Sequence, residues 1–467
     1  MKGAVARVVA CALLLAGCSA DKSATDTSAP SFSPGAQGVG DDYFPKYGNG
    51  GYDVAGYDLN LRYDPKSGEL SGQATITATA TQDLSRFDLD FANLSASGVT
   101  VDGAVATSDQ SGDELVVTPA VGIVDGKAFT VVVDYAGKPT TLDNKALGEG
   151  GWLRTDDGGF ALGQPESAST WFPVNDHPSD KATFKLAMAV PAGLEVLSNG
   201  VPGRRATADG WTTWKWSEAS PMASYLTTVV IGQYRVSTST QDGKPMITAI
   251  PDSLPADGPA ARSLARTGEI ADFLATQFGP YPFDAYGGVV IDDSRVTYAL
   301  ENQTRPVYGN TFFRAGPNST VIAHELAHQW YGDSVALERW RDIWLNEGFA
   351  TYAEWLWAEH EGKATVQQSF DREYRAFDWS EPPGNPGAAK LFGPAVYRRG
   401  AMTLQALRTT IGDKAFFGLL KSWAVEHKDG NATTDDFIAA AEKAAGGEDL
   451  GPLFQAWLFG TSKPAAP

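Results

Sequence analysis

The chain has 467 residues, 43% of them hydrophobic, with 22 Phe, 16 Tyr and 13 Trp. This length and composition leave room for two or three domains and exclude a wholly disordered protein. The net charge of −19 at pH 7 is unfavourable for contact with phosphate backbones, so we expect no nucleic-acid partner.

Residues 1–18 are typical of a lipoprotein signal peptide. Lys2 and Arg7 precede the apolar run Val8 to Ala16, which is too short to cross a bilayer as a stable helix. The following Leu15-Ala16-Gly17-Cys18 resembles a bacterial lipobox, which predicts a lipid on Cys18 that anchors the protein to the outer face of a bacterial cell membrane. A plain secretory signal with an incidental cysteine is the alternative.

The next part of the chain is predicted to be a tether followed by a β domain. Residues 19–42 are rich in small and polar residues, which favours a flexible tether. Over residues 43–238, short alternating runs such as 74–78 and 129–133 are separated by Gly, Asp and Pro. This pattern predicts an N-terminal antiparallel domain that resembles a β-sandwich.

A second domain is predicted over residues 239–467, after the turn signal Asp242-Gly243. Apolar residues at helical spacing predict a helix from Ala260 to Phe278. The short apolar run at residues 287–291 predicts a buried strand. About seven helices are expected from Ser319 onward. The predicted fold class is therefore α+β and multidomain.

The sequence His324-Glu325-Leu326-Ala327-His328 combines metal-binding and acid–base groups on one predicted helix. Ser319 is expected to cap this helix and Gly332 to end it. Two imidazoles at positions i and i+4 lie on one helix face and can bind one zinc ion, while Glu325 is placed to reach a water beside it. Two unrelated surface histidines are the structural alternative.

A catalytic zinc needs three protein ligands and an open position. Glu347 lies 19 positions after His328, in a second segment with helical character. That separation lets the chain turn and bring a second helix beside the first. Glu347 is therefore the predicted third ligand, and Asp342 is a possible partner that orients a ligand histidine.

These residues resemble the aminopeptidase N family of zinc metallopeptidases, which are gluzincins. The shared signature consists of the histidine motif followed by Trp344-Leu345-Asn346-Glu347-Gly348-Phe349, and the likeness extends from about Tyr52 to the C-terminus. The resemblance implies a thermolysin-like catalytic domain, mixed α/β and then all-α, with one zinc ion. It also implies a short form without the family's C-terminal helical domain, and hence a more open site.

Further segments fit the same family. By this resemblance Glu301 in Ala299-Leu300-Glu301-Asn302 binds the substrate amine, assisted by Gln164, and Tyr397 donates a hydrogen bond to the oxyanion. Tyr298 stands where the family usually has a small residue, so the resemblance does not set the width of the first substrate pocket.

The resemblance implies an aminopeptidase that removes N-terminal residues from extracellular peptides, with Glu325 as general base. Two alternatives stay open at this point: a gluzincin endopeptidase, and a non-catalytic lipoprotein that binds ligands at the cell surface. The expected partners are peptide substrates and, through Cys18, a membrane. The sequence sets no expectation for the oligomeric state or for the preferred first residue.

Overall fold

The computed structural model describes residues 1, 31–144 and 147–467. The predicted signal peptide, Cys18 and the tether up to residue 30 lie outside the described residues, apart from Met1. Residues Phe32–Pro467 form one structural unit. None of the helices in the described part of the chain has the length and apolar character that a membrane span requires.

Strands make up most of the regular structure before residue 259. They are β1 (Ser33–Pro34), β2 (Tyr52–Asp64), β3 (Glu69–Ala80), β4 (Leu84–Asp90), β5 (Ser95–Val101), β6 (Ala104–Val105), β7 (Thr107–Ser111), β8 (Glu114–Thr118), β9 (Ala128–Gly137), β10 (Thr141–Asn144), β11 (Gly148–Arg154), β12 (Gly159–Leu162), β13 (Ala182–Pro191), β14 (Glu195–Ser198), β15 (Val201–Pro202), β16 (Ala206–Ala208), β17 (Trp211–Met222), β18 (Val229–Gly232), β19 (Tyr234–Gln241) and β20 (Lys244–Pro251).

The largest sheet has the order β15-β17-β13-β2-β3-β9-β5-β6, with β16 paired to β17. Buried and exposed residues alternate along β2, as expected for a sheet with one face on the core. Most neighbours in this sheet are antiparallel, as predicted, but β2 and β13 run parallel. The alternation of apolar and polar residues indicates which face of a strand is buried but not the direction of its neighbour. The sequence pattern therefore could not show that β2 and β13 are parallel.

Two smaller sheets complete this part of the chain. One has the order β1-β4-β8-β7 and the other β10-β11-β12-β18-β14. The second sheet matters for the site, because β12 ends at Leu162 and the chain then turns toward the helical region, where it delivers Gln164.

The segment just before β2 differs from the predicted tether. Ser33 N–H donates to Asp83 O at 2.9 Å and Gly35 N–H donates to Arg86 O at 2.8 Å, while Asp41 is only 4% exposed. The folded part therefore begins before the predicted boundary at residue 43. Composition suggested a tether because small polar residues dominate there, and it did not reveal these tertiary hydrogen bonds.

Helices dominate the second half. Its elements are α1 (Pro259–Leu264), α2 (Thr267–Phe278), β21 (Tyr286–Ile291), β22 (Ala299–Leu300), β23 (Val307–Gly309), α3 (Ser319–Ala327), β24 (Ala336–Leu337), α4 (Trp344–His360), α5 (Val366–Ala376), α6 (Gly400–Ile411), α7 (Asp413–Glu426), β25 (Asn431–Ala432), α8 (Thr434–Ala444) and α9 (Gly451–Phe454).

A five-stranded sheet of order β19-β20-β21-β23-β22 supports these helices, and its edge strand β22 runs antiparallel to β23. Because β19 begins at Tyr234, the predicted domain boundary at 238 falls inside a strand of this sheet. The helix predicted from Ala260 to Phe278 is split into α1 and α2 near Arg266, whose guanidinium binds Glu361 across the fold. The α-helices α3 to α9 match the number expected from Ser319 onward.

Two cations, the buried Arg305 and the partly buried Lys181, join the β region to the helical region. The Arg305 guanidinium donates to Gly200 O at 2.7 Å on one side and to Tyr286 O at 2.6 Å on the other. Lys181, just before β13, donates to Asp333 O at 2.8 Å in the loop after α3. Buried cations need several such acceptors, so these contacts fix the two regions in one arrangement.

Candidate functional site

Helix α3 carries the two histidines. The Asn318 side chain accepts hydrogen bonds from Thr320 N–H at 3.1 Å and Val321 N–H at 3.3 Å, so Asn318 and not Ser319 caps the helix. The regular helix ends at Ala327, earlier than the predicted end at Gly332, and His328 continues as its C-cap in helical geometry. The two imidazoles consequently lie on one face.

Helix α4 brings the predicted third ligand to the same place. Glu347 Oε2 lies 3.3 Å from His324 Nε2 and 3.5 Å from His328 Nε2. The three side chains offer ligand atoms that all lie within 4.8 Å of one another. The structure therefore brings together the three residues that the sequence predicted as ligands.

The protonation pattern of the imidazoles fits a metal ion. His324 Nδ1 lies 2.7 Å from Glu354 Oε1, and His328 Nδ1 lies 3.1 Å from Tyr331 O. Because both partners are acceptors, each Nδ1 carries a proton, which leaves Nε2 of each ring, beside Glu347, as the atom that can bind a metal ion. Two imidazole nitrogens beside a carboxylate are the donor set of a borderline cation such as zinc.

A contact between two glycines positions Tyr397 beside this centre. A Cβ on Gly348 would lie 2.9 Å from Gly400 Cα, so any larger residue there would push α4 away from the start of α6. Tyr397 lies in the π-helical turn Ala395–Arg399 that precedes α6, and its ring is stacked 6.0 Å from the His324 ring.

A second carboxylate faces the metal centre from the residue that follows strand β22. Glu301, which is 2% exposed, follows the edge strand directly. Its Oε1 accepts hydrogen bonds from Tyr225 Oη at 2.9 Å and from Gln164 Nε2 at 3.2 Å. Glu301, Glu325 and His328 also offer atoms within 4.8 Å of one another. Both predicted amine-binding residues thus lie at one end of the metal centre.

One cavity of about 400 Å³ connects these groups. Its walls include all of the predicted site residues: Gln164, Glu301, His324, Glu325, His328, Glu347 and Tyr397. Tyr298 also lines the cavity, and its hydroxyl donates to Glu149 O at 3.1 Å, which holds the ring on the wall. A volume of this size suits a small ligand or the end of a peptide.

Burial makes the carboxylates of this cavity unequal. Burial raises the pKa of Glu325 to about 8, an effect that His324 and His328 partly oppose. Burial also raises the pKa of Glu301. For Glu347, burial alone would raise the pKa, but the adjacent His328 and His324 lower it instead. The ligand carboxylate thus stays ionised, while Glu325 is suited to exchanging a proton near neutral pH.

Comparison with known proteins agrees with this geometry. Residues 54–226 match the peptidase M1 N-terminal domain, and residues 262–457 match the peptidase family M1 domain. A crystal structure of an M1 zinc metallopeptidase from Deinococcus radiodurans is 30% identical, with a TM-score of 0.85 over 92% of this chain and 99% of that chain. The chain belongs to peptidase family M1. The resemblance inferred from the sequence motifs is confirmed.

Other M1 proteins are similar over different lengths. A variant of the Deinococcus radiodurans enzyme bound to a Tyr-Ser-Ala substrate has a TM-score of 0.85 at 29% identity and covers 92% of this chain and 99% of that chain. Aminopeptidase M1 of Arabidopsis thaliana is 27% identical over 86% of this chain and 49% of its own length. Aminopeptidase N of Canis lupus familiaris is 29% identical over 54% of this chain and 29% of its own length. The chain thus spans about half, or less, of the length of these curated relatives.

Membership of family M1 settles the metal. The His324, His328 and Glu347 donor set is the zinc-binding group of this M1 chain, as the sequence predicted.

The surroundings of the zinc-binding group were only partly anticipated. Asp342 does not orient a ligand histidine, since its Oδ1 accepts from the Thr434 hydroxyl instead. That role belongs to Glu354 and to the Tyr331 carbonyl. Glu354 lies seven residues after Glu347 on α4, so its place on the same helix face was a signal present in the sequence.

Proposed function

We propose that the protein is a zinc-dependent aminopeptidase that removes N-terminal residues from peptides. The observation that carries this proposal is the position of the Glu301 carboxylate at one end of the zinc-binding group, in the same cavity. A substrate ammonium bound there places the first peptide bond, and not a later one, beside Glu325. The names of the M1 relatives and the Tyr-Ser-Ala complex of one of them support it.

The side chains of the cavity supply the remaining chemistry. Glu325 takes a proton from the attacking water and passes it to the leaving amine, which suits its burial and raised pKa. The Tyr397 hydroxyl donates a hydrogen bond to the developing oxyanion. Glu301 and Gln164 hold the ammonium group throughout. Zinc, when bound, supplies Lewis-acid polarisation of the scissile carbonyl and of water.

A panel of aminoacyl chromogenic amides, each with a free and an N-acetylated amine, tests this function. We expect the purified protein to cleave the free-amine substrates much faster than their N-acetylated counterparts and to lose both activities with a zinc chelator. Restoring zinc after removal of the chelator should restore the rate, which separates metal loss from denaturation.

Two outcomes of the panel would contradict the proposal. Comparable cleavage of acetylated substrates would indicate an endopeptidase, since blocking the amine removes the charge that Glu301 recognises. Failure to cleave either series by protein that demonstrably binds zinc would favour a non-catalytic binding protein.

We further propose that the protein acts on extracellular peptides from the outer face of the membrane, on the basis of the lipobox-like sequence that ends at Cys18. Cells expressing the protein should incorporate a labelled fatty acid into it and retain it in the membrane fraction, whereas Cys18→Ala should abolish the label. If the parent and Cys18→Ala proteins were labelled equally, or if neither were labelled, the proposed lipid on Cys18 would be refuted.

A further inference from the structure

The segment that precedes the M1 N-terminal domain match is built into the site. We call residues 32–49 the N-terminal strap. The match to the M1 N-terminal domain begins only at residue 54. Asp41 of the strap is 4% exposed and lies where the β region meets the turn that leads into α4.

Asp41 uses both carboxylate oxygens. Oδ1 accepts from Tyr43 N–H at 2.8 Å and Phe44 N–H at 3.0 Å, which folds the strap around the side chain. Oδ2 accepts from Trp340 N–H at 2.9 Å and lies 3.4 Å from His177 Nε2. One carboxylate thus ties together the strap, the β region and the helical region.

The contact with His177 is a directed hydrogen bond. Ser179 N–H donates to His177 Nδ1 at 3.2 Å, so Nδ1 is an acceptor and the ring proton lies on Nε2, facing Asp41. Burial alone would raise the pKa of Asp41, but the hydrogen bonds from His177, Trp340, Phe44 and Tyr43 outweigh it and lower that pKa to about 2. Asp41 is therefore a carboxylate at neutral pH.

One side-chain and two backbone hydrogen bonds lead in series from Asp41 to the zinc ligand on α4. Trp340 N–H donates to Asp41 Oδ2, and the carbonyl of Trp340 accepts from Ile343 N–H at 3.2 Å. The carbonyl of Ile343 in turn accepts from Glu347 N–H at 3.1 Å. The strap thus holds the start of α4, and with it Glu347, in place.

A second path runs through side chains. The Trp340 ring packs on Phe44 of the strap at 6.2 Å and on Tyr225 at 5.4 Å. The Tyr225 hydroxyl donates to Glu301 Oε1 at 2.9 Å. Trp340 therefore lies between the strap and both functional carboxylates, the zinc ligand Glu347 and the proposed amine-binding Glu301.

We propose that Asp41 is a positioning residue that holds Glu347 in its zinc-binding place through Trp340, so that the N-terminal strap is a working part of the metal centre. A ligand whose supporting bonds are removed binds its metal more weakly and releases it faster. Zinc release tests this role without reference to the proposed aminopeptidase activity.

Asp41→Asn is the informative variant, because the amide has one oxygen and cannot accept at both positions. Asp42→Asn is its matched control: the same chemical change at the adjacent residue, whose Oδ2 makes an exposed ion pair with Arg341 at 3.2 Å. Glu354→Gln, which alters the direct partner of His324, sets the scale. The measurements on full-length protein are zinc release to a chromogenic chelator, kcat and KM, and the unfolding temperature of each metal-free protein.

We expect Asp41→Asn to release zinc about tenfold faster than the parent, near the lower end of the effect known for altered supporting bonds, and to lower kcat more than it raises KM. Asp42→Asn should stay within about twofold of the parent, as surface substitutions do. A folded Asp41→Asn protein with a lower unfolding temperature but zinc release equal to that of Asp42→Asn would overturn the proposal and leave Asp41 a purely structural residue.

If Asp41→Asn does not fold, Asp41→Glu replaces it, since this change keeps the charge but adds one methylene group, so that the carboxylate can no longer accept from both Trp340 N–H and the amides of the strap. Zinc release faster than in Asp42→Asn would support the proposal, and release equal to it would overturn it.

Discussion

Glu325→Gln is expected to lower kcat for free-amine substrates by about 10²–10⁴-fold, the usual contribution of a general base, with zinc content unchanged. The amide fills the same space and cannot accept the proton of the attacking water. Steady-state kinetics at substrate concentrations above KM, together with metal analysis of the same sample, measure both quantities.

Glu338→Gln is the matched control, because it makes the same change on an exposed side chain outside the cavity. A Glu325→Gln protein with full activity would refute the role of general base. Loss of zinc from this variant would have a different meaning, since Glu301, Glu325 and His328 form a second group of potential ligands. The fall in kcat would then reflect the lost ion and would not test Glu325 as general base.

The sequence made predictable those site residues that lie close together along the chain. His324, Glu325 and His328 are fixed relative to one another by one turn of helix, so their spacing alone indicates a shared face. Glu347 required one further assumption, that a second helix returns beside the first. Gln164, Glu301 and Tyr397 come from distant segments, and only the resemblance to a family linked them to the same cavity.

The residues that sequence reasoning missed act through tertiary contacts. Nothing in the order of residues around Asp41 shows that its carboxylate reaches Trp340, almost three hundred positions away. Tyr225 likewise meets Glu301 only because the β region and the helical region are locked together. Asp342 was the reasonable nearby candidate for orienting a histidine, yet the fold turns it toward Thr434.

Local signals also compete where several residues satisfy the same rule. Asn318 and Ser319 are both good N-cap residues, and the structure uses the first of them. The helical spacing from Ala260 to Phe278 persists across the break near Arg266, because periodicity records burial and is insensitive to a short interruption.

Glu301→Gln is expected to lower kcat/KM for free-amine substrates by roughly 30- to 4,000-fold, because removing one partner of a buried charge pair costs about 2–5 kcal/mol. The neutral amide keeps an acceptor for the Tyr225 hydroxyl but no longer balances the charge of the substrate ammonium. N-acetylated substrates, which lack that charge, should show no comparable loss. The preference for free over acetylated amines should therefore shrink by the same factor.

Two companion variants make this result specific to the carboxylate. Glu149→Gln removes an exposed negative charge close to the cavity wall, so it tests whether a general loss of negative potential lowers affinity for cationic substrates. Tyr225→Phe keeps the Glu301 charge and removes one bond that aims it, so a smaller loss, still confined to free-amine substrates, is expected. If Glu149→Gln matched the effect of Glu301→Gln, the preference for the substrate ammonium would come from the overall negative potential of the protein and not from one carboxylate. A large loss in Glu301→Gln, a smaller one in Tyr225→Phe and none in Glu149→Gln would place the substrate amine at the Glu301 carboxylate and limit cleavage to the first peptide bond.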